Sequence, residues 1–317
     1  MKKSLFALFT LIAVILLCTS CGKPEPEPEP IDPGPHTSGE YTYRVESDRS
    51  AHLIKYHGNA SNIVVPPQID GYPVKHLGTK LYTDVDSLRS VTLPEGLVTI
   101  GKSCFEYCID LKSINFPSSL TTIHDKAFYS CSKLESVILP DSVTYLGEET
   151  FWNCTSLKTL KLSNGLTTLK SQTFWNCTSL TSVTIPESVT SMDYAFPYCS
   201  GLVSLNLPKG LTGMDAEFNC CSSIKTATIP GGVPVIPYLT FQGCDALTHV
   251  YIEDGVTEIE TQAFRMCHSL KEVHIPASVT QIAEDSFEEC NPSMVLVVSR
   301  GSYAEQYAIQ NGIAYRN

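Results

Sequence analysis

The chain has 317 residues, 43% of them apolar and 17% charged, with a formal net charge of −11. That balance fits a folded body, and the excess of acid repels phosphate backbones and anionic headgroups, which argues against nucleic acid as a partner. On length alone two domains are expected, unless the chain repeats itself.

The first segment reads as a processing signal. Lys2 and Lys3 are followed by an apolar stretch from Leu5 to Leu17, broken only by Thr10, which is short for a membrane span and suited to a secretory signal. Leu17-Cys18-Thr19-Ser20-Cys21-Gly22 resembles a bacterial lipobox, with Cys18 where Leu is usual. Residues 1–20 are thus expected to be a lipoprotein signal peptide and Cys21 the lipidated residue; an ordinary cleaved signal is the alternative. Starting from Cys21, the chain would hold 20 Lys and Arg against 33 Asp and Glu, a net −13.

Residues 21–40 read as a linker. Proline alternates with glutamate from Pro24 to Pro30, and Pro33 and Pro35 follow, which forbids helix and favours an extended polyproline spacer. At about 3.1 Å per residue it could hold the body up to roughly 60 Å from a membrane. An acidic run after a lipidated cysteine also resembles a surface-export signal, although proline interrupts it here.

Residues 41–317 form a repeat array. In the N-terminal cap and first repeat, residues 41–87, Tyr41 to His57 alternates like a hairpin around Ser47-Asp48, and Val64 to Leu77 reads as a degenerate repeat. From 88 to 290 one phrase recurs every 22 or 23 residues: Phe105, Phe128, Phe151, Phe174, Phe196, Phe218, Phe241, Phe264 and Phe287 each precede a cysteine by three residues, from Cys108 to Cys290. Units of that length cannot bury an apolar face alone, so they stack as a solenoid.

Within each unit, a short alternating strand such as Ser182-Val183-Thr184-Ile185 is closed by a proline, here Pro186. A second short extended segment follows, ending at Met192 in this unit, and the Phe–Cys stretch reads as a helical turn. Stacked strands give the array a spine of roughly 40 Å. In residues 291–317, Val295 to Val298 reads as a last strand. Ser302 to Ala308 reads as a capping helix stopped by Gly312, which would cover the open end.

These residues carry a family resemblance. Ile275-Pro276-Ala277-Ser278-Val279-Thr280-Gln281-Ile282 and Ala263-Phe264-Arg265-Met266-Cys267-His268-Ser269-Leu270 resemble the BspA-like class of bacterial leucine-rich repeats. Ile69-Asp70-Gly71-Tyr72-Pro73-Val74 and Gly301-Ser302-Tyr303-Ala304 are similar to that family's ends. Ser163 and Glu253 depart from it by replacing the strand-ending proline. The resemblance implies a leucine-rich repeat solenoid, mainly β with short helical turns, an N-terminal capping hairpin and a C-terminal capping helix. It also implies a surface-displayed binding protein, in some members an adhesin for host matrix proteins or other bacteria.

No nucleophile elbow or phosphate loop is present, so no catalytic residues and no cofactor are expected. Thirteen cysteines in an exported chain suggest disulfides, but nine stand in one column pointing the same way and are expected to be free core thiols. A few pairings among stacked neighbours remain geometrically open. Ser90, Ser113, Ser136, Ser182 and Ser204 line the strand face as a hydroxyl ladder without a base.

Function should lie where the repeats differ. Tyr129, Trp152 and Trp175 follow the core Phe on consecutive coils, and Tyr107 and Tyr198 stand in the next column. Stacked aromatics at a surface suit an interface anchor or a sugar ring; otherwise they only cover an edge. A second patch combines Tyr251, His274 and His249 on the strand face, with His249 and His274 diagonal to one another; a solvated polar face is expected there rather than a metal site. The expected role is a lipid-anchored binding or adhesion protein on the cell envelope, at the outer-membrane surface. Its partner would be a protein of host matrix or bacterial surface, or a glycan within a nutrient-capture system, or surface proteins gathered on a scaffold. The only membrane contact would be the lipid.

Overall fold

The computed structural model describes residues 32–317; the signal segment and Cys21 lie outside the described residues, as does the first part of the linker. At the N-terminal end, Tyr41–Val45 pairs antiparallel with Ala51–Tyr56 around the expected turn. His36–Ser38, at the end of the segment read as linker, adds a further antiparallel strand on Tyr41–Val45. Ala51–Tyr56 then pairs parallel with Tyr72–Leu77, which hands the hairpin over to the solenoid.

Each coil contributes three sides. The first side carries strands of two to four residues, among them Ser90–Thr92, Ser136–Ile138, Ser182–Thr184, Thr226–Ile229, His249–Ile252 and Glu272–Ile275. The second carries two-residue strands such as Thr99–Ile100, Thr122–Ile123 and Tyr145–Leu146, paired parallel and in register. Between them the chain turns in the same way each time, with the N–H of Val143 donating to the Pro140 carbonyl, of Leu166 to Ser163 and of Val256 to Glu253. The turn therefore forms with or without proline.

The first-side spine is interrupted into separate sheets. Within the first of these sheets, just past the paired strands Ser90–Thr92 and Ser113–Ile114, the Asn115 amide takes the place of backbone: its Oδ1 accepts from the Leu93 N–H at 2.7 Å and its Nδ2 donates to the Leu93 carbonyl at 3.0 Å.

The third side corrects an expectation. The Phe–Cys stretches are not helical; they are ribbons of successive tight turns. Every residue two after the core Phe is left-handed, including Tyr107 (φ 59°), Asn153 (φ 58°), Asn176 (φ 57°), Tyr198 (φ 60°) and Met266 (φ 60°). A left-handed residue other than glycine costs about 1–2 kcal/mol, and hydrogen bonds between coils offset it. The N–H of Phe105 donates to the carbonyl of Ala127, Phe128 to Thr150 and Phe151 to Thr173, at 2.7–2.9 Å. A helix would keep those bonds within one coil; the ribbon uses them to tie neighbours together.

The core follows from this ribbon. Phe105 to Phe264 are fully buried and stack coil on coil, with ring centroids mostly 5.0–5.5 Å apart and planes nearly parallel. Tyr82 begins the column one coil before Phe105, stacked on it at 5.1 Å, and its hydroxyl meets that of Tyr41 at 3.0 Å. Tyr307 of the capping helix, Tyr303–Gln310, closes the column against Phe287. Ser302 caps that helix by accepting from the Glu305 N–H, Asn311 ends it, and Gly312 lets the chain turn back. Ala314–Arg316 then adds one more parallel strand on Val295–Val297.

The eleven cysteines of the described residues are free thiols. Those of the column do more than fill space. Each Sγ–H donates to the carbonyl of the aromatic residue one coil back, from Cys108 to Tyr82 at 3.0 Å through Cys154 to Phe128 at 3.4 Å to Cys290 to Phe264 at 3.0 Å. Valine would fill the space and leave that carbonyl without this donor. Burial pushes the Cys108 thiol up to about 12 and also raises Cys131 and Cys154 well above the ordinary thiol value, so in the folded chain these thiols stay protonated and unreactive.

One coil breaks the pattern. Glu217 stands in the column before the core Phe, otherwise held by small residues such as Ala127, Thr150, Ala195 and Thr240, and it is fully buried. Its carboxylate accepts from the Ala195 N–H at 2.7 Å and the Asp215 N–H at 3.2 Å. The Phe196 and Phe218 rings are 6.3 Å apart there, wider than their neighbours. Burial drives the Glu217 pKa up to about 8 against the pull of those N–H donors.

Candidate binding surface

The ribbon side carries the expected aromatic residues, and the structure brings all five together. The left-handed backbone at Tyr107 and Tyr198 turns their side chains toward the column that holds Tyr129, Trp152 and Trp175. Tyr129 and Trp152 stack with centroids 4.4 Å apart and planes 1° from parallel; Trp152 and Trp175 do so at 4.6 Å and 1°. Tyr107 meets Tyr129 edge-on at 5.6 Å, and Tyr198 leans on Trp175 at 5.0 Å. The result is one aromatic run across five coils.

Its exposure is uneven. Tyr107 and Tyr198 are exposed, whereas Tyr129, Trp152 and Trp175 are half-buried because each covers the ring face of the next. Burial, with Tyr107 close by, raises the Tyr129 hydroxyl above its usual pKa. Outward, the run shows ring edges along its middle and freer rings at its ends. Beside it runs a short amide ladder: Asn176 Nδ2 donates to Asn153 Oδ1 at 2.7 Å. The Lys126 ammonium lies over the Tyr129 ring at 5.5 Å and pairs with Glu149 at 3.3 Å.

The second patch is also assembled. Tyr251 and His274 are paired directly across neighbouring strands, their rings 4.7 Å apart, and His249 faces Glu272 one step along. His274 Nε2 is 2.5 Å from Glu272 Oε1, and Arg316 Nη2 reaches the other oxygen of Glu272 at 2.9 Å. Those charge-assisted bonds hold the Glu272 carboxyl below its usual range. His274 is thereby committed to Glu272, and no cluster of three or more metal-ligating side chains occurs among the described residues. Nor is any described helix long and apolar enough to cross a membrane.

Stacked coils with strands on one side and a core column of leucine, isoleucine and phenylalanine define a leucine-rich repeat solenoid. Residues 75–195 and 192–294 match the model of the BspA type leucine rich repeat region in six copies, and the chain belongs to that family. Among solved structures, a leucine rich repeat protein of T. pallidum is 30% identical, with a TM-score of 0.57 over 60% of this chain and 91% of that one. The pneumococcal vaccine antigen PcpA shares the fold at 16% identity and a TM-score of 0.51, covering 90% of this chain and 99% of the other. A leucine-rich repeat protein of Bacteroides ovatus is 20% identical over 89% of this chain and 99% of its own, with a TM-score of 0.48. No curated protein matches the chain. Repeat proteins of this type are binding scaffolds and generally lack catalytic chemistry.

Proposed function

We propose that this protein is a lipid-anchored binding or adhesion protein of the bacterial cell surface, held through Cys21 at the outer membrane, that meets a protein partner along its ribbon side. The observation that carries the reading is the five-residue aromatic run from Tyr107 to Tyr198, which no coil needs for its core. Half-exposed tryptophan and tyrosine with low side-chain entropy are the residues that anchor protein interfaces. A partner that is a protein of host matrix or of another bacterium is favoured over a glycan for a geometric reason. A sugar stacks on an open ring face, and in the middle of this run the ring faces are covered by one another.

The test combines display and binding. Metabolic fatty-acid labelling is expected to mark the protein and to be lost in Cys21→Ala; labelling that persists would remove the anchor from the reading. A screen of matrix proteins, bacterial surfaces and glycans then identifies a partner. Trp152→Ala/Trp175→Ala is expected to weaken it by at least about tenfold, roughly 1.4 kcal/mol. Unchanged binding by a folded double variant would return the aromatic run to a purely structural role and move attention to Tyr251 and His274.

A further inference from the structure

At the opposite end from the capping helix, the second side of the solenoid is hollowed into a trench. Along most of the array, the residue after the second short strand carries a side chain, such as Lys170, Asp193 or Glu260. Near the N-terminus that position is Gly78 and then Gly101. A Cβ at Gly101 would lie 2.6 Å from the Leu77 carbonyl oxygen, and one at Gly78 would lie 2.6 Å from that of Leu53. The coils approach too closely there for any side chain, so the floor is bare backbone. On the next coil the column carries His124, which walls one end. The Ser47-Asp48 turn of the capping hairpin walls the other. The open cleft between them measures about 520 Å³, within the size range of small-molecule sites.

The side chains around it are unlike those of any other coil. His52 and His76 face one another on register-paired strands, their rings 5.7 Å apart, and His124 and Lys102 complete the lining. The two acids on the rim are already engaged. Glu46 Oε1 lies 2.9 Å from His52 Nδ1, and Asp48 takes Lys75 Nζ at 2.8 Å and the Ser50 hydroxyl at 2.6 Å. The imidazoles of His76 and His124 make no hydrogen bond to any described residue, and Lys102 is held only loosely, 3.7 Å from Asp125. What remains uncommitted in the cavity is therefore nitrogen: two imidazoles and an ammonium, with Thr79 and Thr99 hydroxyls beside them.

We propose that this trench binds a small organic anion, a carboxylate or a phosphate, through the imidazoles of His76 and His124 and the ammonium of Lys102. Charge-assisted hydrogen bonds from such groups are the strong ones. Of the neighbouring acids, Asp48 is paired with the Lys75 ammonium and Glu46 is hydrogen-bonded to the His52 imidazole, so neither points a free carboxylate at the anion.

The site has a built-in pH dependence. Burial, and next the proximity of His52, hold the His76 imidazole below its usual pKa. The charged groups that face it are Glu46, Asp48 and His52 from the hairpin, Lys75 from its own strand, Lys102 from the next coil, and His124 with Asp125 beyond. An anion favours the protonated ring, so binding takes up a proton and strengthens as pH falls.

Glucuronate and inorganic phosphate are the probes, titrated against the full chain by calorimetry and by the imidazole proton signals in NMR. Saturable binding is expected with at least one of them, at least about tenfold tighter near pH 6 than near pH 8. The signals of His76 and His124 should move while those of His249 and His268 stay. Saturation by one probe alone supports the site and assigns its chemistry. His124→Gln/Lys102→Gln, both exposed and compatible with folding, is expected to lose at least about tenfold in affinity, while Lys225→Ala on the first side should lose none. No saturable shift with either probe near pH 6, or equal affinity in the double variant, would overturn the proposal.

Discussion

Two aromatic ladders run along this molecule, and they differ in what sets their length. The buried one extends from Tyr82 through the phenylalanines to Phe287 and on to Tyr307, mostly at a spacing of 5.0–5.5 Å and widening to 6.3 Å at Phe196–Phe218 and at Phe287–Tyr307. The half-exposed one spans five coils, from Tyr107 to Tyr198, and then stops. Both arise from the same stacking of coils, so stacking by itself says nothing about use. A column required for folding must continue wherever coils continue, because each coil needs a neighbour to bury its apolar side. A column that ends partway along is free of that requirement, and there a binding role has room to exist.

The sharpest way to break this comparison is to cut each ladder and weigh the loss. Phe174→Ala removes a fully buried ring from the middle of the core and should cost about 3–5 kcal/mol in chemical denaturation. An effect below that of a nearby surface change would mean that the buried ladder is not the scaffold.

The core ladder has one weak rung, between Phe196 and Phe218, where Glu217 is inserted. The sign of its effect follows from proton linkage. A carboxyl whose folded pKa of about 8 exceeds its ordinary 4.5 binds more protons folded than unfolded in that window. Stability should therefore fall as pH rises from about 4.5 to about 8 and level off above, by on the order of a few kcal/mol. Glu217→Gln should flatten that decline, as read by melts across the same range; a decline of equal size in the variant would place its origin elsewhere.

The surface ladder should matter less to folding. Trp152→Ala/Trp175→Ala loses the stacks with Tyr129 and Tyr198 as well as their own, about 1–3 kcal/mol in total. The melting curve must accompany any binding measurement. A cost as large as that of Phe174→Ala would make the two ladders equivalent and weaken the binding role.

The smallest effect concerns the thiols. Cys154→Ala removes a weak donor to the Phe128 carbonyl and a little volume, and should cost about 1 kcal/mol. In the folded chain the buried column thiols, from Cys108 to Cys267, should resist alkylation, and under denaturing conditions without reductant most of the column should react. Mass spectrometry that finds most of them in disulfides would contradict their free, donating state.

Much of this architecture was legible before any coordinates, because a solenoid repeats its constraints in the sequence. The nine Phe and Cys positions, the short alternating strand of each unit, the capping hairpin around Ser47-Asp48 and the terminal helix all follow from local periodicity, and the structure carries them. The proline departures at Ser163 and Glu253 were visible too, although their harmlessness was not. It depends on a turn bond that any residue can accept.

Other features needed the neighbours in place. The Phe–Cys stretch has helical spacing, yet its N–H groups find carbonyls on the adjacent coil, and that competition is decided between coils rather than within one. Tyr82 belongs to the core ladder although its coil lacks the Phe-x-x-Cys phrase, with Val85 where the cysteine would be, so no pattern marked it. Glu217 was readable as an acid in a column of small residues, but its burial and its backbone donors were not. The faces of Trp152 and Trp175 are covered, which only side-chain packing could reveal. The histidine-lined trench joins residues from the hairpin and three successive coils. Sequence by itself thus determined the repeat, its period and its buried columns, because those are set by what every coil must bury. Tertiary structure alone decided the ribbon, the covered rings and the trench, because each depends on hydrogen bonds, ring faces or empty space shared between coils.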